Sequence, residues 1–342
     1  MFEDPANWLI VGGLTLGSLF GLVAKHYRFC LVATISNVSL IQDYRYALAF
    51  TVTLLVAITG TQLLEILNIV AISEASYRNA RLDWLGVIVG GFMFGVGATL
   101  AGGDAARIVI LAGSGSKAGL LTVFFFAITA AVAQFGILEG PRIYSMMNSS
   151  IILMSDDAGI STLLGTPKLV VLIIVDGLLL AFLISQWKRH ADIKLLIAGA
   201  ILGLTVIAAW YTTGVLAVDE FSEGTSPSAM TISGPMSRIG YLFVAGQYPG
   251  FSFSIAFMLG ILLISFVTAI ITKKFEFTPI RGSALKIGLG ASLMGIGGTL
   301  GYGCNIGQGY SGISTLSVES LLAVIAIIIG IHVTTKRLEK SL

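Results

Sequence analysis

The sequence predicts an all-α polytopic membrane protein with about nine transmembrane helices, re-entrant half-helices and two inverted repeats. Three observations carry that prediction. First, the 342 residues are 56% hydrophobic and 11% charged, with a mean hydropathy of +0.93. Soluble domains carry roughly 25% charged residues, so 20 Lys+Arg and 18 Asp+Glu cannot cover a water-soluble surface of this size. Second, the 41 glycines exceed what loops need; glycine is enriched in membrane helices, where backbones pack closely. Third, a glycine-rich pattern occurs twice. Soluble enzymes, nucleic-acid binders and disulfide scaffolds are poor readings. The net charge of +2 attracts no polyanion, and two cysteines form one bridge at most.

A membrane span needs about 20 mostly apolar residues. Nine runs qualify: 8–24, 46–68, 85–103, 117–138, 169–186, 193–213, 251–272, 284–303 and 318–334. They are continuous, unlike the alternating segments of β-barrels, so they read as helices. The first lacks a small-residue cleavage site and reads as a retained span, not a signal peptide.

Basic residues orient the spans. With the N-terminus outside and nine crossings, fifteen Lys/Arg lie inside and five outside, the latter being Arg78, Arg81, Arg142, Lys168 and Arg238. One span more or fewer would scramble that ratio. The expectation is N-out, C-in.

Four further stretches are too short or too broken to cross: 29–41, 104–113, 228–247 and 304–317. Non-helical backbone at membrane depth survives only where protein buries it or water lines it. These read as half-helices around a conduit.

Residues 95–104 read Gly-Val-Gly-Ala-Thr-Leu-Ala-Gly-Gly-Asp, and 295–304 read Gly-Ile-Gly-Gly-Thr-Leu-Gly-Tyr-Gly-Cys. In the orientation above, the two copies run in opposite directions. Inverted repeats are common in transport proteins, with the site near their interface. The repeats are expected at 1–165 and 166–342, within one integral membrane domain.

Asp104 closes the first copy and Cys304 the second. An ionisable residue at membrane depth marks a pathway. Asp104 also suits a helix N-cap, a role compatible with function. Arg107, three residues on, falls on the same helical face and could neutralise it. Cys304 lies in the uncharged segment Gly303-Cys304-Asn305-Ile306-Gly307-Gln308-Gly309-Tyr310-Ser311-Gly312. Gly303 and its fellow glycines admit a ligand to the backbone, whose N–H groups form an anion nest; Asn305 and Gln308 add polar side chains. With Cys30 they suggest a line of stations: Cys304 toward the outside, Asp104 central, Cys30 inward.

No metal-ligand spacing, cofactor motif or catalytic constellation is visible. His26, His190 and His332 sit at span ends and read as solvated or dipole-capping. Glu65 reads as snorkelling from the outer end of its helix. Asp176 reads either as a structural hydrogen-bond partner or as a coupling-ion site. Glu319 reads as a helix N-terminal charge. Ten acids in the outside segments, Glu3, Asp4, Asp219, Glu220 and Glu223 among them, give no steering toward anions.

At these residues the chain resembles the YeeE/YedE family of bacterial sulfur-transport membrane proteins. The matching stretches are Arg28-Phe29-Cys30, Gly91 through Gly103, Trp210-Tyr211-Thr212-Thr213-Gly214, Ser228-Ala229-Met230-Thr231 and Gly303 through Gly309. The resemblance implies nine spans and half-helices in an hourglass of inverted repeats, in the bacterial inner membrane. It implies uptake of thiosulfate or a related sulfur species past thiols, with Cys30 and Cys304 as conduit cysteines. The family usually has Cys where this chain has Asp104.

The first functional reading is therefore a transporter or channel for a small sulfur-containing solute, with a selenium species as a variant. A cytoplasmic sulfur carrier or sulfurtransferase is the partner this implies, beside the lipid bilayer; no cofactor is implied. The reading from another class is a non-conducting membrane subunit that anchors such a protein. The glycine-lined Cys304 segment favours flux, because an anchor needs no anion nest.

Overall fold

A computed structural model describes residues 5–217, 226–246, 250–280 and 282–340. Glu3, Asp4, Asp219, Glu220, Glu223 and Arg281 lie outside the described residues. The nine expected spans are helices α1 (Pro5–His26), α3 (Arg45–Ile66), α4 (Trp84–Ala101), α6 (Lys117–Phe135), α9 (Lys168–His190), α10 (Ile193–Tyr211), α12 (Phe253–Ile271), α13 (Ala284–Leu300) and α14 (Val318–Lys340). Eight of the apolar helical stretches are long enough to cross a membrane; α13, at 17 residues, is shorter.

Half-helices fill three of the four broken stretches: α2 (Leu31–Ile41), α5 (Ala105–Gly113) and α11 (Ser233–Ala245). The fourth is different. Residues Gly307–Gly312 wind as a π-helical turn, not an α half-helix. Two short helices, α7 (Glu139–Ser149) and α8 (Ile160–Leu164), complete the α-helices among the described residues. Strands β1 (Asn79–Leu82) and β2 (Ile151–Asp157) pair antiparallel, Leu82 opposite Ile151.

Local chemistry explains several helix starts. Asp83, Ser116, Asp192, Ser252 and Ser283 accept from the first-turn N–H groups of α4, α6, α10, α12 and α13. These N-caps satisfy donors that a membrane cannot.

The central crossing is glycine on glycine. A Cβ on Gly90 would stand 2.7 Å from the Gly297 carbonyl, and one on Gly97 would stand 2.5 Å from the Gly290 carbonyl. Gly90 and Gly290 are equivalent in the 200-residue repeat, as are Gly97 and Gly297. Each glycine thus meets the equivalent of the other, the signature of a local two-fold axis between antiparallel α4 and α13. The wider packing repeats that symmetry. α14 on α4 mirrors α6 on α13; α1 on α12 mirrors α10 on α3; α2 on α14 mirrors α11 on α6. α9 has no counterpart in this scheme.

One buried ion cluster ties the loops at one end together. Arg78, 1% exposed, pairs with Asp157 and, at 3.5 Å, with Glu65; it also donates to the Thr315 carbonyl at 2.7 Å. Lys168 meets the other oxygen of Glu65 at 2.7 Å. Glu65 therefore does not snorkel. It is buried because two cations compensate its charge. Asp176 accepts from the Thr59 hydroxyl at 2.8 Å, which fits the structural reading.

Candidate functional site

Three segments meet at the middle of the molecule: the start of α2, the start of α5 and the stretch leading into the π-helical turn. Asp104 is the N-cap of α5, in extended backbone, and its Oδ1 accepts from the Arg107 N–H at 3.0 Å. Its Oδ2 accepts from the Leu31 N–H, the first of α2, at 2.6 Å. α2 begins at Cys30, whose own side chain provides no cap. One carboxylate therefore serves two helix N-termini, where the dipoles favour negative charge.

Asn305 closes the third side. Its Nδ2 donates to Asp104 Oδ2 at 3.1 Å, and its Oδ1 accepts from the Ala105 N–H at 3.3 Å. Cys30 directly precedes Leu31, so it lies beside the carboxyl that Leu31 donates to, within electrostatic reach of it. Cys30, Asp104 and Asn305 are each 2% exposed. The cysteine, the acid and the amide anticipated from sequence thus form one junction.

Arg107 does not neutralise Asp104 by an ion pair; among the described residues no such pair is within 4.0 Å. Only its backbone N–H touches the carboxylate. The helix turn that aims this N–H at Oδ1 carries the side chain away, into a cavity of about 380 Å³ lined also by Lys25, Arg28, Phe29 and Ser114.

Cys304 is fully buried and immediately precedes Asn305 in the chain. Its carbonyl accepts from the Gln308 N–H at 2.8 Å. Gln308 is a bracket. Its amide donates to the Gly301 carbonyl at 3.0 Å and to Glu319 at 3.4 Å, and its oxygen accepts from Ser320. Gly303 is required beside it, since a Cβ there would lie 2.9 Å from the Gln308 side chain.

Sequence reasoning passed over several residues. Tyr310, 3% exposed, stacks on Phe50 with ring centroids 5.6 Å apart and meets the edge of Phe20. It lies within electrostatic reach of both Asp104 and Cys30. Tyr77 stands within reach of Cys304 and Glu319, and burial pushes its phenol up, so it is a neutral donor. The hydroxyls of Tyr77 and Thr231 crowd the backbone of Gly307, where a Cβ would lie 3.2 and 2.8 Å from them. Both line a second cavity of about 380 Å³ with Ser233, Arg238, Tyr302 and Glu319. Tyr310 stood in the segment singled out from sequence; Tyr77 carried no signal of its own.

The junction of Cys30, Asp104 and Asn305 is buried, with one cavity on the Tyr77 side and another on the Arg107 side. Comparison with known proteins places the chain among transporters. Residues 26–333 match the model of a family described as Sulphur transport. The thiosulfate transporter TsuA of Escherichia coli (strain K12) is 25% identical over 344 residues, covering 94% of this chain and 93% of that one. The thiosulfate transporter TsuA of Spirochaeta thermophila is 26% identical over 341 residues, covering 94% and 97%.

Proposed function

Since the chain belongs to the sulphur transport family and is a multi-pass membrane transporter of a sulfur-containing solute rather than an enzyme, we propose that its solute is thiosulfate or a like sulfur oxyanion. The observation that carries this reading is the meeting of the Cys30 thiol, Asp104 and Asn305 at two half-helix N-termini. Two relatives named thiosulfate transporters support the choice of solute.

The path enters at the Tyr77 cavity, passes Cys304, crosses the Asp104 junction beside Tyr310 and Cys30, and leaves by the Arg107 cavity. Gly303, Asn305 and Gln308 shape its narrow part. Thiols donate weakly, and conduction requires several weak sites instead of one tight one. Asp104 sets the condition for passage. A unit negative charge 4 Å from a carboxylate costs about 4 kcal/mol at an effective dielectric of 20. The anion therefore crosses with Asp104 protonated, and a proton enters the transport cycle. The titratable and charged groups within electrostatic reach of Asp104 in that step are Cys30, Arg107 and Tyr310.

The N-terminus lies outside and the C-terminus in the cytoplasm of a bacterial inner-membrane protein, which the distribution of basic residues supports. The repeats 1–165 and 166–342 pack about the glycine crossing, a division that the mirrored helix contacts support. A cytoplasmic sulfur carrier or sulfurtransferase receives the solute. Uptake of labelled thiosulfate by proteoliposomes holding the full chain tests the proposal: accumulation above empty liposomes supports it, and none contradicts it.

A further inference from the structure

Lys25, Arg28 and Arg107 line one cavity of about 380 Å³, and among the described residues no acid lines it with them. The cavity begins where the narrow path ends: Phe29, in its wall, precedes Cys30 in the chain, and Arg107 lies within electrostatic reach of both Cys30 and Asp104. Lys25 is anchored. Its Nζ donates to the Ser265 carbonyl at 2.7 Å and to the Thr268 hydroxyl at 2.8 Å, both on α12. The guanidiniums of Arg28 and Arg107 have no acceptor among the described residues. Two unpartnered forks and a fixed ammonium around one cavity match the geometry of an oxyanion.

The backbone gives a second indication. Arg28 follows the C-terminus of α1 with φ of 54°, and the Phe29 N–H returns to the Ala24 carbonyl at 2.9 Å. Glycine is the unstrained residue at that position. The chain holds an arginine there in left-handed backbone and turns its side chain into the cavity.

We propose that Lys25, Arg28 and Arg107 form an anion-holding vestibule beyond Cys30, which takes a sulfur oxyanion as it leaves the thiol path. This inference rests on the sulfur-anion reading above. The vestibule offers the leaving anion positive charge after the Asp104 junction, and it screens the carboxylate from the aqueous side. Its attraction falls with ionic strength, since the site is open to solvent through the exposed Arg28.

The test is equilibrium binding of labelled thiosulfate to the full chain in lipid nanodiscs, in a Cys30→Ala/Cys304→Ala background that removes the thiol stations. The vestibule predicts binding that weakens at least tenfold on adding Arg28→Gly/Arg107→Gln, and by a smaller factor on adding Arg28→Lys/Arg107→Lys, which keep the charges but not the forks. Arg28→Gly relieves the turn, and Arg107→Gln keeps the backbone N–H on Asp104, so both keep the fold. Equal affinity with and without the two arginines overturns the proposal, as does absence of binding in the background. Arginine-dependent binding without flux in wild-type proteoliposomes leaves the vestibule standing and removes the transport reading. Flux with arginine-independent binding does the reverse.

Discussion

The Asp104 carboxylate caps the helix that starts at Leu31, 73 residues earlier in the chain, through a 2.6 Å hydrogen bond, while its other oxygen caps its own helix at Arg107. A single acid thereby holds two half-helices nose to nose. The positive ends that would receive a solute anion are occupied by the protein's own negative group, and Cys30, the N-cap residue of the first of those helices, lies beside it.

Removing that carboxylate has two separable effects. Asp104→Ala orphans the N–H groups of Leu31 and Arg107, each cap being worth about 1 kcal/mol, so the thermal midpoint falls. Asp104→Asn keeps one acceptor and falls less. Differential scanning of the purified variants checks the order wild type, Asn, Ala; equal midpoints would remove the capping role.

On the proposed path, charge at the same position governs flux. Protonation of Asp104 removes the repulsion between carboxylate and anion, so wild-type thiosulfate uptake rises as external pH falls. Asp104→Asn lacks the charge at every pH, so its uptake is higher at neutral pH and flat between pH 5 and about 8. Initial rates across that range, at fixed membrane potential, read the difference.

The Arg78 cluster holds the loop end of the molecule. Arg78→Ala leaves Glu65 and Asp157 facing each other without their shared cation, at a cost of about 3–5 kcal/mol. Burial pushes the Asp157 carboxyl up, but the Arg78 guanidinium and the Thr162 hydroxyl outweigh it and hold the group below its ordinary 3.8. A depressed carboxylate contributes stability above its unfolded value and loses it as pH falls through the folded one. The melting temperature therefore holds steady down to pH 4 and drops below it, and Asp157→Asn flattens that drop.

The glycine crossing tolerates no side chain. Gly297→Val drives a branched side chain into the Gly90 carbonyl, 2.6 Å from the first added carbon, and the folded membrane protein is lost. Gly140→Ala, with open space around its Cβ, is neutral or slightly stabilising in helix α7. Membrane-extracted yield and size-exclusion profile of the two variants check the contrast.

Much of this architecture was legible in the chain. The nine helices follow from apolar length, and the opposed directions of α4 and α13 follow from the odd number of span steps between them. The half-helices were visible because 29–41 and 104–113 are apolar yet too short to cross. The residues of the junction were legible as types: an acid that closes a glycine-rich run, an amide just past the second copy of that run, and a thiol after the first span. Their contacts were not. Leu31 donates to an acid 73 positions away, and nothing local to either residue marks the pairing. The same holds for Arg78, whose partners Glu65 and Asp157 come from two other segments, and for β1 and β2, which pair across four intervening helices. Arg107 misled for a geometric reason: residues three apart share a helix face, but an N-cap meets the backbone N–H, not the side chain.

The most direct measurement is uptake of labelled thiosulfate into proteoliposomes by the wild type, Cys30→Ala and Cys304→Ala at equal reconstituted protein. A thiol-lined path predicts robust uptake by the wild type, a reduced rate for Cys30→Ala and none for Cys304→Ala. Uptake by both variants at the wild-type rate would contradict it.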